Sequence, residues 1–212
     1  MRQFDHIIWD WNGTIVNDSA LCLSILNIQL AKSGKAPISI EDYRSKFLFP
    51  LSAFYEKMGL ASSPETFQKQ NLAFLMEYNL RRRECPLHDG VLKVLDGFLA
   101  SGGTHSVLSA YATRHLVEMV NQYGIADRFS IIKGLDGTDA DSKIDKGHEL
   151  LKELGIKPSK VIMVGDSSHD YEVASALGVQ CFLVAKGHQS VDVLSSCKAV
   201  LLENHEEILG YL

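Results

Sequence analysis

Short runs of consecutive apolar, often β-branched residues alternate along much of this chain with longer stretches whose apolar positions recur three and four apart. The runs are residues 4–9 (FDHIIW), 105–108, 129–132, 161–164 and 180–184. They are as short as strands buried on both faces, and most are followed at once by glycine or a polar residue. The helical stretches between them are 91–100, 114–122, 143–154 and 171–177, and Gly155 and Gly178 stand where the last two helices would end. Strand alternating with helix predicts an α/β fold: a three-layer, doubly wound parallel sheet that binds ligands beyond the carboxyl ends of its strands.

Residues 17–83 break this rhythm. Helical periodicity covers 20–33, 40–47, 52–58 and 64–82, with turn signals at Gly34, Pro50 and Gly59 and no convincing strand. The expected organisation is a core domain made of residues 1–16 and 84–212. An α-helical cap of residues 17–83 is inserted after the first strand. Two crossings, near Val16 and Glu84, would let the cap move as a unit.

Composition narrows the class. The 212 residues are 46% hydrophobic and 22% charged, enough for a substantial core, and the net charge of −5 argues against a nucleic-acid backbone as partner. No apolar run reaches the roughly 18 residues of a membrane helix, and the start MRQFDHIIWDWN has no signal-peptide pattern. Cys22, Cys85, Cys181 and Cys197 lack metal-site spacing and are expected reduced in a cytoplasmic protein. Oligomeric state stays open, with a monomer favoured.

The chemistry should sit at the strand ends. The first strand ends in Asp10-Trp11-Asn12-Gly13-Thr14, the second in Ser109-Ala110, and the fourth in Gly165-Asp166-Ser167-Ser168-His169-Asp170. Lys143 opens a helix between the third and fourth. Mg²⁺ takes oxygen ligands and needs only one or two carboxylates, which Asp10 and Asp166 supply, with the Asn12 carbonyl as a third oxygen. Asp10 is also placed to attack phosphorus. Ser109 and the N–H groups after it suit a phosphate oxygen, and Lys143 offsets the repulsion between nucleophile and phosphate.

These four ordered motifs resemble those of the haloacid dehalogenase-like (HAD) superfamily, and the helical insertion is similar to the cap of its phosphoglycolate phosphatase-like branch. The resemblance implies Mg²⁺-dependent hydrolysis of a small phosphorylated metabolite. Asp10 would be the nucleophile, and Asp10, Asn12, Asp166 and Asp170 the metal set. Gly13, Thr14, Ser109, Ala110 and Lys143 would hold the substrate, Thr14 chiefly by shaping its loop. Two departures stand out. The usual second aspartate, the general acid and base, is Asn12, whose amide exchanges no proton at neutral pH. The motif lysine is Lys143 or Lys146, with Lys143 favoured.

The asparagine predicts slow hydrolysis of alkyl esters, and smaller losses for aryl or acyl phosphates that need little leaving-group protonation. It also keeps open a weakly catalytic or non-catalytic module that binds Mg²⁺ and a phospho-ligand. A phosphonate hydrolase would need a cap lysine from among Lys32, Lys35, Lys46 and Lys57. Among secondary candidates, His169 is expected to be solvated and Arg81-Arg82-Arg83 to form a solvated helix end. His88 is read as a surface histidine or a substrate neighbour, and His188 is undecided. Phe47-Leu48-Phe49-Pro50 either packs within the cap or faces the site.

Overall fold

The computed structural model describes residues 3–135 and 142–212; residues 1–2 and 136–141 of the expected core lie outside the described residues. Strands β1 (His6–Trp9), β2 (Thr104–Leu108), β3 (Ile131–Lys133), β4 (Val161–Gly165), β5 (Gln180–Val184) and β6 (Val200–Leu202) pair in parallel in the order β3-β2-β1-β4-β5-β6. The chain starts at the centre, steps outward through β2 and β3, then crosses back to β4. That reversal beside β1 is where a parallel sheet opens a ligand crevice.

Alternation along β1 shows how the layers form. Ile7 and Trp9 enter one apolar cluster with Val94 and Phe98 of α5 (Val91–Ala100) and Leu116 and Val120 of α6 (Thr113–Gln122). Ile8 enters the other with Leu150 of α7 (Ser142–Leu154) and Val173 and Leu177 of α8 (Ser168–Leu177). Consecutive residues of a strand face opposite sides, so a strand covered on both is apolar on both, save where a buried polar residue finds partners, as His6 does in the Thr104 and Ser106 hydroxyls.

Between β1 and α5 lie α1 (Ser19–Lys32), α2 (Ile40–Lys46), α3 (Leu51–Lys57) and α4 (Pro64–Arg81). Reciprocal hydrogen bonds between Ser63 and Thr66, with Pro64 in the first turn, start α4. Leu21, Ile25, Leu26, Phe54 and Tyr55 of this segment belong to the same apolar cluster as the sheet face. The two crossings run side by side: Val16 bridges Leu87, Asn17 N–H donates to Pro86 O at 2.9 Å, and His88 N–H donates to Ile15 O at 2.9 Å.

The third strand lies later than the apolar run at 129–132 suggests. Phe129 closes a short 3-10 turn (Ala126–Arg128) and spends its side chain on the core. Strand β6 has three residues, too few to show a period, and the pattern misses it, as it does the single turn α9 (Val191–Leu194). Helix α8 starts at Ser168 rather than 171 because Ser167 caps it. No helix among the described residues is long and apolar enough to cross a membrane.

A buried histidine ties β1 to β2. Trp9 Nε1 donates to His105 Nδ1 at 3.0 Å, and His105 Nε2 donates to Leu95 O at 3.0 Å, so the ring is neutral with its proton on Nε2. Burial lowers its pKa to about 4. Below pH 6.5 the unfolded chain binds a proton here that the folded chain refuses, so stability falls as the pH drops towards 4. Between pH 7 and pH 5 this group should cost about 2 kcal/mol. His105→Gln, which still accepts from Trp9, should shrink the pH 7-to-5 difference in unfolding free energy by that amount. An unchanged difference in denaturant titrations would show that His105 is not the sensor.

Candidate active site

The loop after β1 is set by backbone before any side chain acts. Asp10 N–H donates to Val164 O at 2.9 Å, extending the sheet by one residue, and the chain then turns through Gly13 at φ +76°. A Cβ there would lie 2.4 Å from Asp166 Oδ2, and one on Gly187 would lie 2.1 Å from the same oxygen. Two glycines therefore let two loops close on Asp166. Its Oδ1 accepts from Thr14 Oγ1 at 3.0 Å and its Oδ2 from His188 N–H at 2.6 Å.

Lys143, in the first turn of α7, reaches the same edge. Its Nζ lies 2.6 Å from Asp10 Oδ1 and 2.8 Å from Asp170 Oδ1, and all three side chains are buried. Lys146 instead pairs with Glu149 on the surface at 2.9 Å. Asp170 has a second task, because its Oδ2 accepts from the N–H of Asp166 and Ser167 and from Ser167 Oγ. It helps cap α8 while pairing with Lys143.

Burial pushes Asp10 and Asp166 above the ordinary carboxylate range. For Asp10, Lys143 opposes the rise while Asp170 and Asp166 add to it; for Asp166, His188 opposes it. Asp170 goes the other way: burial works against ionisation, but Lys143 and the Ser167 hydrogen bond hold its pKa low. Ligand atoms of Asp10, Asp166 and Asp170 lie within 4.8 Å of one another. Three carboxylates thus face one ammonium in a buried site. A divalent cation that prefers oxygen fits both that charge and that donor set.

A second buried cluster, unexpected from the sequence, surrounds Asn12. Its Nδ2 donates to Asp18 Oδ2 at 2.7 Å and to Tyr78 OH at 2.6 Å; Tyr78 OH in turn donates to Asp18 Oδ2 at 2.7 Å. Asp18 Oδ1 accepts from Gly13 N–H at 2.8 Å and pairs with His188 Nε2 at 3.2 Å. Burial alone would lower the His188 pKa, but the Asp18 carboxylate outweighs it and raises it to about 9. Tyr43 OH from α2 lies 2.9 Å from His188 Nδ1. An aspartate just before a helix reads locally as a cap, and Asp18 makes no cap hydrogen bond because it turns inward.

These groups line one cavity of about 200 Å³ together with Ser109, Ala110, His169 and an apolar wall from the inserted helices. Ser109 Oγ accepts from Tyr111 N–H at 3.0 Å, and α6 begins only at Thr113. His169 is not solvated: it is 7% exposed beneath the Phe49 ring, centroids 4.7 Å apart. His88 is not on the surface either; it is buried against His205, 5.2 Å between ring centroids. Arg82 departs from the solvated helix end, being buried against Tyr111 OH and Glu118, whereas Arg81 pairs with Glu84 at the surface. Phe47 and Phe49 face the cavity while packing on each other, 5.4 Å between centroids. Lys32, Lys35, Lys46 and Lys57 are not among its described lining residues.

Known proteins resemble this chain in sequence and in fold. A phosphoglycolate phosphatase of Synechococcus elongatus is 24% identical over 208 residues, covering 96% of this chain and 94% of the relative. The tyrosine-protein kinase PtkA of Mycobacterium tuberculosis is 26% identical over 200 residues, 92% of this chain and 67% of the relative. Among solved structures, a haloacid dehalogenase-like hydrolase from Streptococcus pneumoniae superposes with a TM-score of 0.83 at 19% identity, covering 100% of this chain and 99% of that one. The family model described as haloacid dehalogenase-like hydrolase matches residues 7–184. With that match spanning most of its length, the chain belongs to the haloacid dehalogenase-like hydrolase family.

Proposed function

We propose that this chain hydrolyses a small phosphomonoester through an aspartyl phosphate on Asp10. The observation that carries the reading is the buried bridge of Lys143 to Asp10 and Asp170, at 2.6 and 2.8 Å. It holds a cation against the nucleophile in a buried site, where fixed charges act more strongly than in water. Asp10 attacks phosphorus, Lys143 takes up charge on the transferring oxygens, and Ser109 Oγ with the Ala110 N–H binds a phosphate oxygen. Gly13 and Thr14 keep the loop close to Asp166. Mg²⁺ would be held by Asp10, Asp166 and the Asn12 carbonyl, with Asp170 behind them; when bound it neutralises the phosphate and the excess carboxylate charge.

Residues 17–83 act as a cap, since α2 and α4 supply Tyr43 and Tyr78 to the site. Opening at the paired crossings admits substrate, and closure dries the site. The four cysteines are free thiols, consistent with a cytoplasmic protein.

A phosphate-ester panel assayed with Mg²⁺ and with chelator tests this reading. Metal-dependent release of phosphate from at least one ester class is expected. The clamp on Asn12 favours one second reading, a binding module of low or no turnover. Tight binding of a phosphorylated ligand with no release from any ester would select that module instead.

A further inference from the structure

The cavity has two chemically different walls. One carries Asp10, Lys143, Ser109 and Asp166 at the sheet edge. The other comes from the inserted segment and is mostly apolar: Phe47, Phe49 and Leu51 come from the link between α2 and α3 and its end, and Phe74 and Leu75 from α4, while the polar groups of Asp18, Tyr43 and Tyr78 are engaged with Asn12, His188 and one another. The ester substituent of a phosphoryl group on Asp10 would share the cavity with these rings and aliphatic carbons.

The charges around the cavity point the same way. Its basic lining residues, among those described, are Lys143, His169 and His188. Lys143 is held by Asp10 and Asp170, and His188 by Asp18 and Tyr43. His169 lies under Phe49 with Nε2 buried and unpartnered, a single nitrogen rather than a carboxylate fork. Residues 136–141 (DGTDAD) contain no basic residue. A substituent bearing a carboxylate, as in phosphoglycolate, would find at most this single ring nitrogen, and desolvating a carboxylate with so little pairing is costly. An aromatic substituent meets complementary rings instead.

Leaving-group chemistry supplies an independent argument. Asn12 spends both amide hydrogens on Asp18 and Tyr78 and has no proton to give. A phenolate leaves without prior protonation far more readily than an alkoxide.

We propose that the physiological substrate class is an aryl phosphomonoester, its single ring seated against Phe47, Phe49 and Phe74. The proposal rests on the hydrolase reading above. In the first step the Asp10 carboxylate oxygen forms a bond to phosphorus as the aryl oxygen–phosphorus bond breaks. The phenolate departs with the electron pair and takes a proton from solvent. Water then attacks phosphorus, releasing the Asp10 carboxylate and inorganic phosphate.

The test separates recognition from turnover. Calorimetry on the wild-type protein with Mg²⁺ compares two phosphonates that cannot be hydrolysed at a phosphate ester bond, phenylphosphonate and phosphonoacetate. Phenylphosphonate should bind at least about tenfold tighter, consistent with burying one ring. Phe74→Ala should bring the ratio towards one by weakening phenylphosphonate alone. Equal affinities, or tighter phosphonoacetate, would overturn the aryl assignment whether or not the protein turns over any ester. In parallel, kcat/KM for phenyl phosphate should exceed that for 2-phosphoglycolate by about 10²-fold. Absence of all turnover with the binding preference intact would refute hydrolysis and leave the ligand class standing.

Discussion

Asp10→Asn should lower turnover of an aryl phosphate by on the order of 10⁴-fold or more, because an amide oxygen cannot form the acyl phosphate. The fold should not suffer. Asp10 is buried beside two other carboxylates, and burial already works against its ionised form. The substituted amide still offers an oxygen to Lys143 while removing one of the excess negative charges. Thermal stability should therefore equal or exceed that of the wild type, so the lost activity can be read as lost chemistry. Acid-quenched wild-type protein should carry a phosphoryl mass increment that the variant lacks. Turnover near the wild-type rate, with intact mass excluding reversion to aspartate, would remove Asp10 from the mechanism.

Lys143→Met should damage both activity and stability. The ammonium is 2% exposed and is the partner of two buried carboxylates. Removing one member of a buried ion cluster costs about 3–5 kcal/mol, on the order of 10 °C in Tm for a chain of this size. Losing the cation beside the phosphoryl group should cost a further 10²–10³-fold in kcat. The variant should respond to pH in its own way. Without the ammonium, Asp10 is held further above its unfolded pKa and Asp170 loses the partner that keeps its own low, so acidification relieves a penalty. Its stability should recover between pH 8 and pH 6 more than that of the wild type. A variant as stable as the wild type at pH 8, with the same pH profile, would show that Lys143 does not balance this cluster.

The fold was legible where burial imposes a period. Ile7, Ile8 and Trp9 must all be apolar because β1 is covered on both faces, and the strand stands out for that reason. Edge strand β6 is half exposed and three residues long, so nothing forces a pattern on it. The site was legible at strand ends, where Asp10, Ser109 and Asp166 follow directly from topology. Asp18 and His188 were not, because their partnership spans the inserted helices and the last third of the chain. No local spacing records it, and Asp18 resembles an ordinary helix cap. His169 and Arg82 were misread for the same reason: polar residues were expected outside, and distant segments covered them. The start of α8 was available in the sequence, since Ser167 and Asp170 have the spacing of a reciprocal cap.

The clamp that holds Asn12 also limits how this site can change by single substitutions. Putting aspartate at position 12 would set a second carboxylate against the Asp18 oxygen that now accepts from the Asn12 amide at 2.7 Å. The two would repel or share one proton, and the His188 pair would be disturbed with them. Asparagine at 12 and aspartate at 18 thus form one unit, each tolerated because of the other. A lineage that placed an acid at 12 would have to relocate the charge at 18 first or at the same time. The asparagine is therefore entrenched: its replacement is an epistatic problem, set by a neighbour six residues along that never needs to touch the phosphate.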